Sequence, residues 1–203
     1  MTREIVTVMP ETTAADALRV CRERGIRHLP VLEDGRLAGI VSDRDLRSAT
    51  PALGDPERAA ALERIRVGEV MNRDVVTARP DDPIEHAARE MFERKIGCLP
   101  VVESDELVGI LTASDVMRAF VRLTGAHEPG SRVEVVLPDR PGELAEVAGI
   151  VRDANVNIVS VLAAPDLRDG KRVAVLRLAT IDPHRVVEEL ERAGYPILWP
   201  PRS

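Results

Sequence analysis

The strongest constraint on this chain is that it states one passage twice. IVTVMPETTAADALRVCRERGIRHLPVLEDGRLAGIVSDRDL, residues 5–46, overlays VVTARPDDPIEHAAREMFERKIGCLPVVESDELVGILTASDV, residues 75–116, without a gap. Thr7 recurs as Thr77, Pro10 as Pro80, Pro30 as Pro100, Gly39 as Gly109 and Asp45 as Asp115, always 70 positions on. Register held across loops and periodic segments alike marks a duplicated structural unit. Each copy is therefore expected to read the same way in secondary structure.

Both copies read alike. A short β-branched strand (Ile5 to Val8, Val75 to Thr77) ends at a proline. A capping stretch follows, with Thr12 or Thr13 as cap in the first copy and Asp82 before a helix-opening Pro83 in the second. Ala14, Ala17, Leu18 and Cys21, matched by Ile84, Ala87, Ala88 and Met91, fall at the 3–4 spacing of a helix. LPVL and LPVV are short buried strands, and EDGRL and ESDEL turn the chain into LAGIV and LVGIL. A second helix starts after Ser42 or Thr112, so each unit is β-α-β-β-α.

The end of each copy, GIVSDRDL or GILTASDV, carries chemistry. A hydroxyl where a strand enters a helix stands beside unpaired first-turn amides, a natural anion site. A carboxylate three residues on can accept from the paired hydroxyls of a ribose. The same residues also read as a plain helix cap with its acid at the third position. Both roles are physically compatible.

Composition excludes several alternatives. Aromatics are 2% of 203 residues, so the cores are aliphatic and stacking platforms for single-stranded nucleic acid are scarce. A net charge of −6 disfavours a phosphate-backbone binder while leaving local basic pockets open. No apolar run reaches the ~20 residues that cross a bilayer, and MTREIVTVMPETT has no signal-peptide core. No nucleic-acid or membrane partner is expected, and the expected location is cytoplasmic. Cys21 and Cys98 are too few and too separated for a disulfide framework or a zinc knuckle.

The two copies resemble a pair of CBS domains, the tandem often called a Bateman module. The resemblance implies a disc of two sheets with two clefts that bind adenosine-containing ligands. It assigns the ribose to Asp45 and Asp115, and the sugar and phosphate region to Ser42 and Thr112. Thr7 and Thr77 become pocket walls, and Arg27-His28 and Gly97-Cys98 flank the base and phosphates. The copies differ: Arg27 and Arg44 answer to Gly97 and Ser114, and Asp43 to Ala113. Arginine suits forked phosphate contacts, so a polyphosphate is expected in the cleft of Arg27, Arg44 and Asp45, unless Arg44 is simply a solvated helix residue. A further departure precedes the first strand, where the second copy has RVGEVMNRD, a lead-in helix, and the first only MTRE. The first copy's edge geometry is open on that account.

PERAAALERI reads as a short connecting helix, and LTGAHEPGS as a second linker. Beyond it come strand SRVEVVL, a helix opened by Asp139 and Pro141, strands NIVSVLAAP and KRVAVLRLAT joined by DLRDG, a helix after Asp182-Pro183, and strand YPILW. This βαββαβ order predicts a ferredoxin-like sheet with both helices on one face. Through DRPGEL, at Asp139, Arg140, Pro141, Gly142, Glu143 and Leu144, and through Asn157-Ile158, the segment resembles an ACT domain. The resemblance implies a small ligand, often an amino acid, held near that loop between paired domains. Asp-Arg-Pro-Gly also makes a serviceable strand-to-helix turn with no ligand at all.

The expected class is α/β (α+β), with a CBS domain at 1–50, a linker at 51–65, a second CBS domain at 66–124 and an ACT domain at 131–203. That order resembles the AcuB family, named for acetoin utilisation. Enzyme chemistry has little support: His28, His86, His127 and His184 are scattered, and no HExxH or phosphate-loop pattern occurs. The function expected is a regulator that senses an adenine nucleotide (AMP, ADP, ATP or a relative) and an amino acid, has no catalytic cofactor or metal, and signals to a regulated protein as a homodimer. A scaffold with vestigial clefts, or an accessory subunit in acetoin catabolism, is the alternative. The dimer is expected to cover two apolar surfaces, the stripe Val116, Met117, Phe120 and Val121 and the bare face of the C-terminal sheet.

Overall fold

In the computed structural model, described for residues 1–52, 54–165 and 170–201, the chain divides into two compact units, Met1–Val116 and Met117–Ser203. The DLRDG turn falls largely outside the described residues.

In the first unit, copy one comprises α1 (Ala14–Arg24), β1 (His28–Glu33), β2 (Arg36–Ser42) and α2 (Asp43–Ser48). Two connecting helices, α3 (Arg58–Arg64) and α4 (Val67–Val70), lead to copy two: α5 (Ile84–Arg94), β3 (Cys98–Glu103), β4 (Glu106–Thr112) and the start of α6 (Ala113–Leu123), which runs on into the second unit. The hairpins superpose in register, His28 opposite Ser42 and Cys98 opposite Thr112, each with an irregularity after its buried valine, Val31 or Val101. Thr13 caps α1 by accepting from the Asp16 amide at 3.0 Å. In α5, Pro83 is itself the cap residue and Ile84 the first helical one, while Asp82 accepts from the Arg79 amide behind it.

The strands expected at Ile5–Val8 and Val75–Thr77 shrink to single parallel bridges, Val8 to Val31 and Ala78 to Val101. The Val8 amide donates to the Pro30 carbonyl, and the Leu32 amide to the Val8 carbonyl. One step further in either direction the ladder would need an N–H from Pro30 or from Pro10, and neither has one. Pro100 and Pro80 stop the second copy the same way.

The copies also exchange edges. Asn72 pairs with Ile40, and Thr2 pairs with Ile110. Met1-Thr2 thus meets the second hairpin as Met71-Asn72 meets the first. The repeated glycine answers to this. A Cβ on Gly39 would stand 2.6 Å from Met71 Sδ, and one on Gly109 2.7 Å from Met1 Sδ. A side chain there would displace the methionine and crowd the incoming carbonyl of Asn72 at 3.0 Å or of Thr2 at 3.3 Å.

Each copy has its own aliphatic core. Leu29, Val31, Val41 and Leu46 are fully buried with Ala14 and Ala17 in the first, joined by Val67 of α4. Leu99, Val101, Leu111, Ala87 and Met91 fill the second, and Val116 packs against them.

The second unit forms β5 (Ser131–Pro138), α7 (Glu143–Asp153), β6 (Ile158–Pro165), β7 (Lys171–Leu178), α8 (His184–Arg192) and β8 (Ile197–Trp199). Strand order is β6-β7-β5-β8, every neighbour antiparallel, the ferredoxin-like arrangement the element order predicts. Alternate residues Val133, Val135 and Leu137 of β5 and Ala174, Leu176 and Leu178 of β7 meet Val147, Val151, Val186 and Leu190 of the two helices. The opposite face is partly covered by the unit's own linker. Ser160 Oγ donates to the Thr124 carbonyl at 2.7 Å and Arg177 Nη2 to that of Glu128 at 2.6 Å. Gly125, buried at φ 63°, lies so close that a Cβ would be 3.0 Å from Val159.

Two helix starts differ from expectation. Gly142, at φ 98°, is the cap residue of α7, and no side chain caps it. Asp139 instead accepts from Arg172 of β7. At α8 the cap position is Pro183, and Asp182 serves the His184 amide at 3.0 Å. In both cases a residue that cannot donate, or that reaches φ > 0, sits where the chain turns, and the acid finds the nearest unpaired donor instead.

Candidate functional site

A cleft of about 1020 Å³ opens in the first unit, with walls from both copies. Copy one contributes Arg27 and His28, the end of β2 and the first turn of α2. Copy two and its lead-in contribute Val70, Met71, Asn72, Asp74, Val75 and Val76 and the junction from Lys95 to Cys98.

Its geometry begins with Ser42. The side chain accepts from the Asp45 amide at 3.2 Å, and Asp45 Oδ2 accepts from both the Ser42 amide (2.9 Å) and hydroxyl (2.6 Å). This reciprocal box ends β2 and starts α2 in one step. It uses one carboxylate oxygen, Asp45 Oδ2, so the cap does not engage both. Thr112 and Asp115 repeat the box at 3.0, 2.8 and 3.3 Å. The first-turn amide of Asp45 is taken by the cap.

Arg27 and His28 are placed by the same junction. The Arg27 carbonyl accepts from the Asp43 amide at 2.9 Å, as that of Gly97 does from Ala113 at 3.0 Å. The His28 ring lies over Gly97. Burial pushes its pKa below the ordinary value, Asp43 and Asp45 pull the other way, and Arg27 adds to the lowering.

Of the expected residues, Arg27, His28, Ser42, Arg44, Asp45 and Cys98 line this one cleft. Thr77 does not: it is exposed, and Val75 and Val76 form the wall in its place. Thr7 of copy one lies outside it, as do Thr112, Ser114 and Asp115, the copy-two counterparts of Ser42, Arg44 and Asp45. Cys98 is buried, and desolvation pushes its thiol up to about 12. Cys21 rises to about 11, from burial first and Asp43 second. Neither is a nucleophile at neutral pH.

Sequence reasoning missed Arg47, Lys95, Asn72 and Asp74, which also line the cleft. Arg47 was in reach, since it follows Asp43 by four on α2 and pairs with it at 3.6 Å. The others come from the second copy, which local reading does not bring to the first.

In the second unit the DRPGEL loop is tied down by its own side chains. Arg140 donates to Glu143, whose second oxygen accepts from Tyr195 at 3.0 Å, while Asp139 holds Arg172 at 2.7 Å. Arg140 and then Tyr195 keep the Glu143 carboxyl below the usual range. Pro141 and Leu144 are exposed. Asn157 and Ile158 line a separate shallow hollow of about 400 Å³ with Ala148, Arg152, Asn155 and Val156. The loop residues are not part of that hollow. Among the described residues no group of three His, Cys, Asp or Glu could hold a metal, and no helix is long and apolar enough to cross a membrane.

A duplicated β-α-β-β-α unit with exchanged edges, followed by a ferredoxin-like βαββαβ unit, defines the architecture. The family comparison agrees. The CBS domain model matches residues 1–51 and 67–122, and the ACT domain model residues 131–194. The chain belongs to the CBS-domain family and carries an ACT domain behind the pair.

Among solved structures it is similar to the acetoin utilization protein AcuB of Vibrio cholerae, 36% identical over 63% of this chain and 91% of that one, with a TM-score of 0.53. It is also similar to CBSX2, solved in complex with AMP, at 31% identity over 59% and 90% with a TM-score of 0.51. Curated relatives include a homoserine O-acetyltransferase of Methanohalobium evestigatum, 35% identical over 58% of this chain. The chain spans only 22–45% of the length of the first curated relatives it matches, and that match covers the CBS region alone. CBS and ACT domains are regulatory rather than catalytic modules.

Proposed function

We propose that the protein is a regulatory sensor that binds an adenine nucleotide in the cleft of the CBS pair. One observation carries the reading: Asp45, with one carboxylate oxygen outside its cap, shares a cleft with Arg27 and Arg44. The carboxylate suits a ribose diol and the guanidinium groups suit phosphates. The relative solved with AMP supports the ligand class. Thr112, Ser114 and Asp115 form the second, less cationic site, with Thr7 and Thr77 near their strand ends.

An amino acid at Asp139–Leu144 and Asn157-Ile158 of the ACT domain is the second input. Both inputs act by linkage, each favouring one arrangement of a homodimer that a regulated protein reads. Exposed Met117, Phe120 and Leu123 on and beside α6 support pairing. Resemblance to AcuB makes acetoin catabolism the first context to test.

Calorimetry with ATP, ADP, AMP and adenosine tests the core claim. At least one should bind, and Arg27→Ala or Arg44→Ala should weaken ATP more than adenosine. Failure of all four to bind, together with no nucleotide released from the purified protein on denaturation, overturns the sensor reading in favour of a scaffold.

A further inference from the structure

Lys95 stands where the fold asks for glycine. It ends α5 at φ 56°, ψ 38°, and its partner in the repeat, Gly25, ends α1 at φ 63°, ψ 30°. Left-handed backbone is easy for glycine and strained for lysine, so the helix end alone does not account for a lysine. Lys95 does, however, line the cleft, on the wall built by copy two.

It completes an uneven charge pattern. The cations of this cleft are Arg27, Arg44, Arg47 and Lys95. Their partners 70 residues away are Gly97, Ser114, Met117 and Gly25, and only Arg118, in the place of Ser48, offsets the difference. Among the described residues, Arg27, Arg44 and Lys95 have no ion pair, while Arg47 has Asp43 at 3.6 Å. Three carboxylates, Asp43, Asp45 and Asp74, line the same cleft, so placement of charge rather than its total must discriminate between ligands.

We infer that Lys95 is a specificity-determining residue that selects ligands carrying a polyphosphate, so that this cleft takes a purine nucleoside di- or triphosphate in preference to the nucleoside. The inference rests on the nucleotide reading above and adds a residue from the second copy to it. Strain at the helix end is retained because the ammonium is needed at that wall. A cation from each copy on one phosphate chain also makes the ligand a brace between the copies.

Lys95→Gly tests this cleanly, because the substitution installs the residue that the first copy already uses and suits the backbone. The variant should melt at the same temperature as the parent or higher. Calorimetry should show ATP affinity reduced about tenfold, or ~1.4 kcal/mol, with adenosine affinity within about twofold. The ATP affinity of the variant should also depend less on salt. Lys95→Met, which keeps the aliphatic stem, should lose ATP affinity to a similar degree. Unchanged ATP binding in Lys95→Gly, or equal losses for ATP and adenosine, overturns the role of Lys95. A parent protein that binds adenosine as tightly as ATP overturns the polyphosphate preference alone. A parent that binds neither overturns the nucleotide reading and this inference with it.

Discussion

The imidazole of His28 occupies the space that a side chain at position 97 would need: a Cβ on Gly97 would lie 2.9 Å from both Cε1 and Nε2. Glycine rather than arginine at 97 therefore has a packing reason. Gly97 has no need of a left-handed backbone, so its substitution tests the contact alone. Gly97→Ala should cost about 1–3 kcal/mol by overpacking, measured by urea denaturation. Adding His28→Ala should recover most of that loss. A double variant as unstable as Gly97→Ala alone would remove His28 as the cause.

Asp45 has two separable duties. Ser42→Ala removes the hydroxyl half of the box and should cost roughly 0.5–2 kcal/mol of stability. Asp45→Ala should show a comparable stability loss and, in addition, weaken nucleotide binding by roughly 1.5–3 kcal/mol. Asp115→Ala should do the same for the other site. Calorimetry giving unchanged affinity in both aspartate variants would leave the carboxylates as caps only.

His28 predicts a pH dependence with a definite sign. Its folded pKa lies below the ordinary imidazole value, chiefly through burial, so the unfolded chain takes up the proton first as pH falls. Stability assigned to neutral His28 is present above about pH 6.5 and is lost as pH drops through the lower folded pKa. The melting temperature of the parent should therefore fall more than that of His28→Gln between pH 7.5 and pH 5. Parallel pH profiles would show that His28 does not titrate differently on folding.

Both thiols should be silent in the native protein. With Cys98 near 12 and Cys21 near 11, the thiolate fraction at pH 8 is very small, and both side chains are buried. Ellman's reagent should report almost no reaction in native buffer and two thiols per chain in denaturant. Rapid labelling of Cys98 in native buffer would indicate that the start of β3 opens.

The exposed apolar stripe predicts assembly. Met117 is 62% exposed and Phe120 55%. Light scattering should give twice the 22.2 kDa chain mass at micromolar concentration, and Phe120→Asp should shift it toward the single chain. Val116, read from sequence as part of the stripe, contributes to the core of copy two instead. A parent that is monomeric and does not aggregate, with and without nucleotide, would rule this dimer out.

The duplication, the hairpins, the Ser42–Asp45 and Thr112–Asp115 pairs and the βαββαβ order were legible in the sequence because each is local. Period, turn residues and cap chemistry act over a few positions, and the chain obeys them. The first strands were misread for an equally physical reason. Ile5–Val8 and Val75–Thr77 have strand composition, but a ladder needs donors from its neighbour, and Pro30 and Pro100 withhold them.

What sequence alone determined is the pair of units, their matching caps and the aliphatic faces that form each core. Tertiary structure decided which copy serves which cleft. Asn72, Asp74 and Lys95 enter a site read as belonging to copy one, because the repeat brings the start of one copy against the hairpin of the other. It also decided that Gly39 and Gly109 make room for methionine side chains, and that the linker at Thr124–Glu128 covers part of a sheet face expected to need a partner. Periodicity records which face of an element is apolar. It carries no information about which distant segment meets that face, since that choice depends on shape and on unpaired donors and acceptors that only the folded chain brings together.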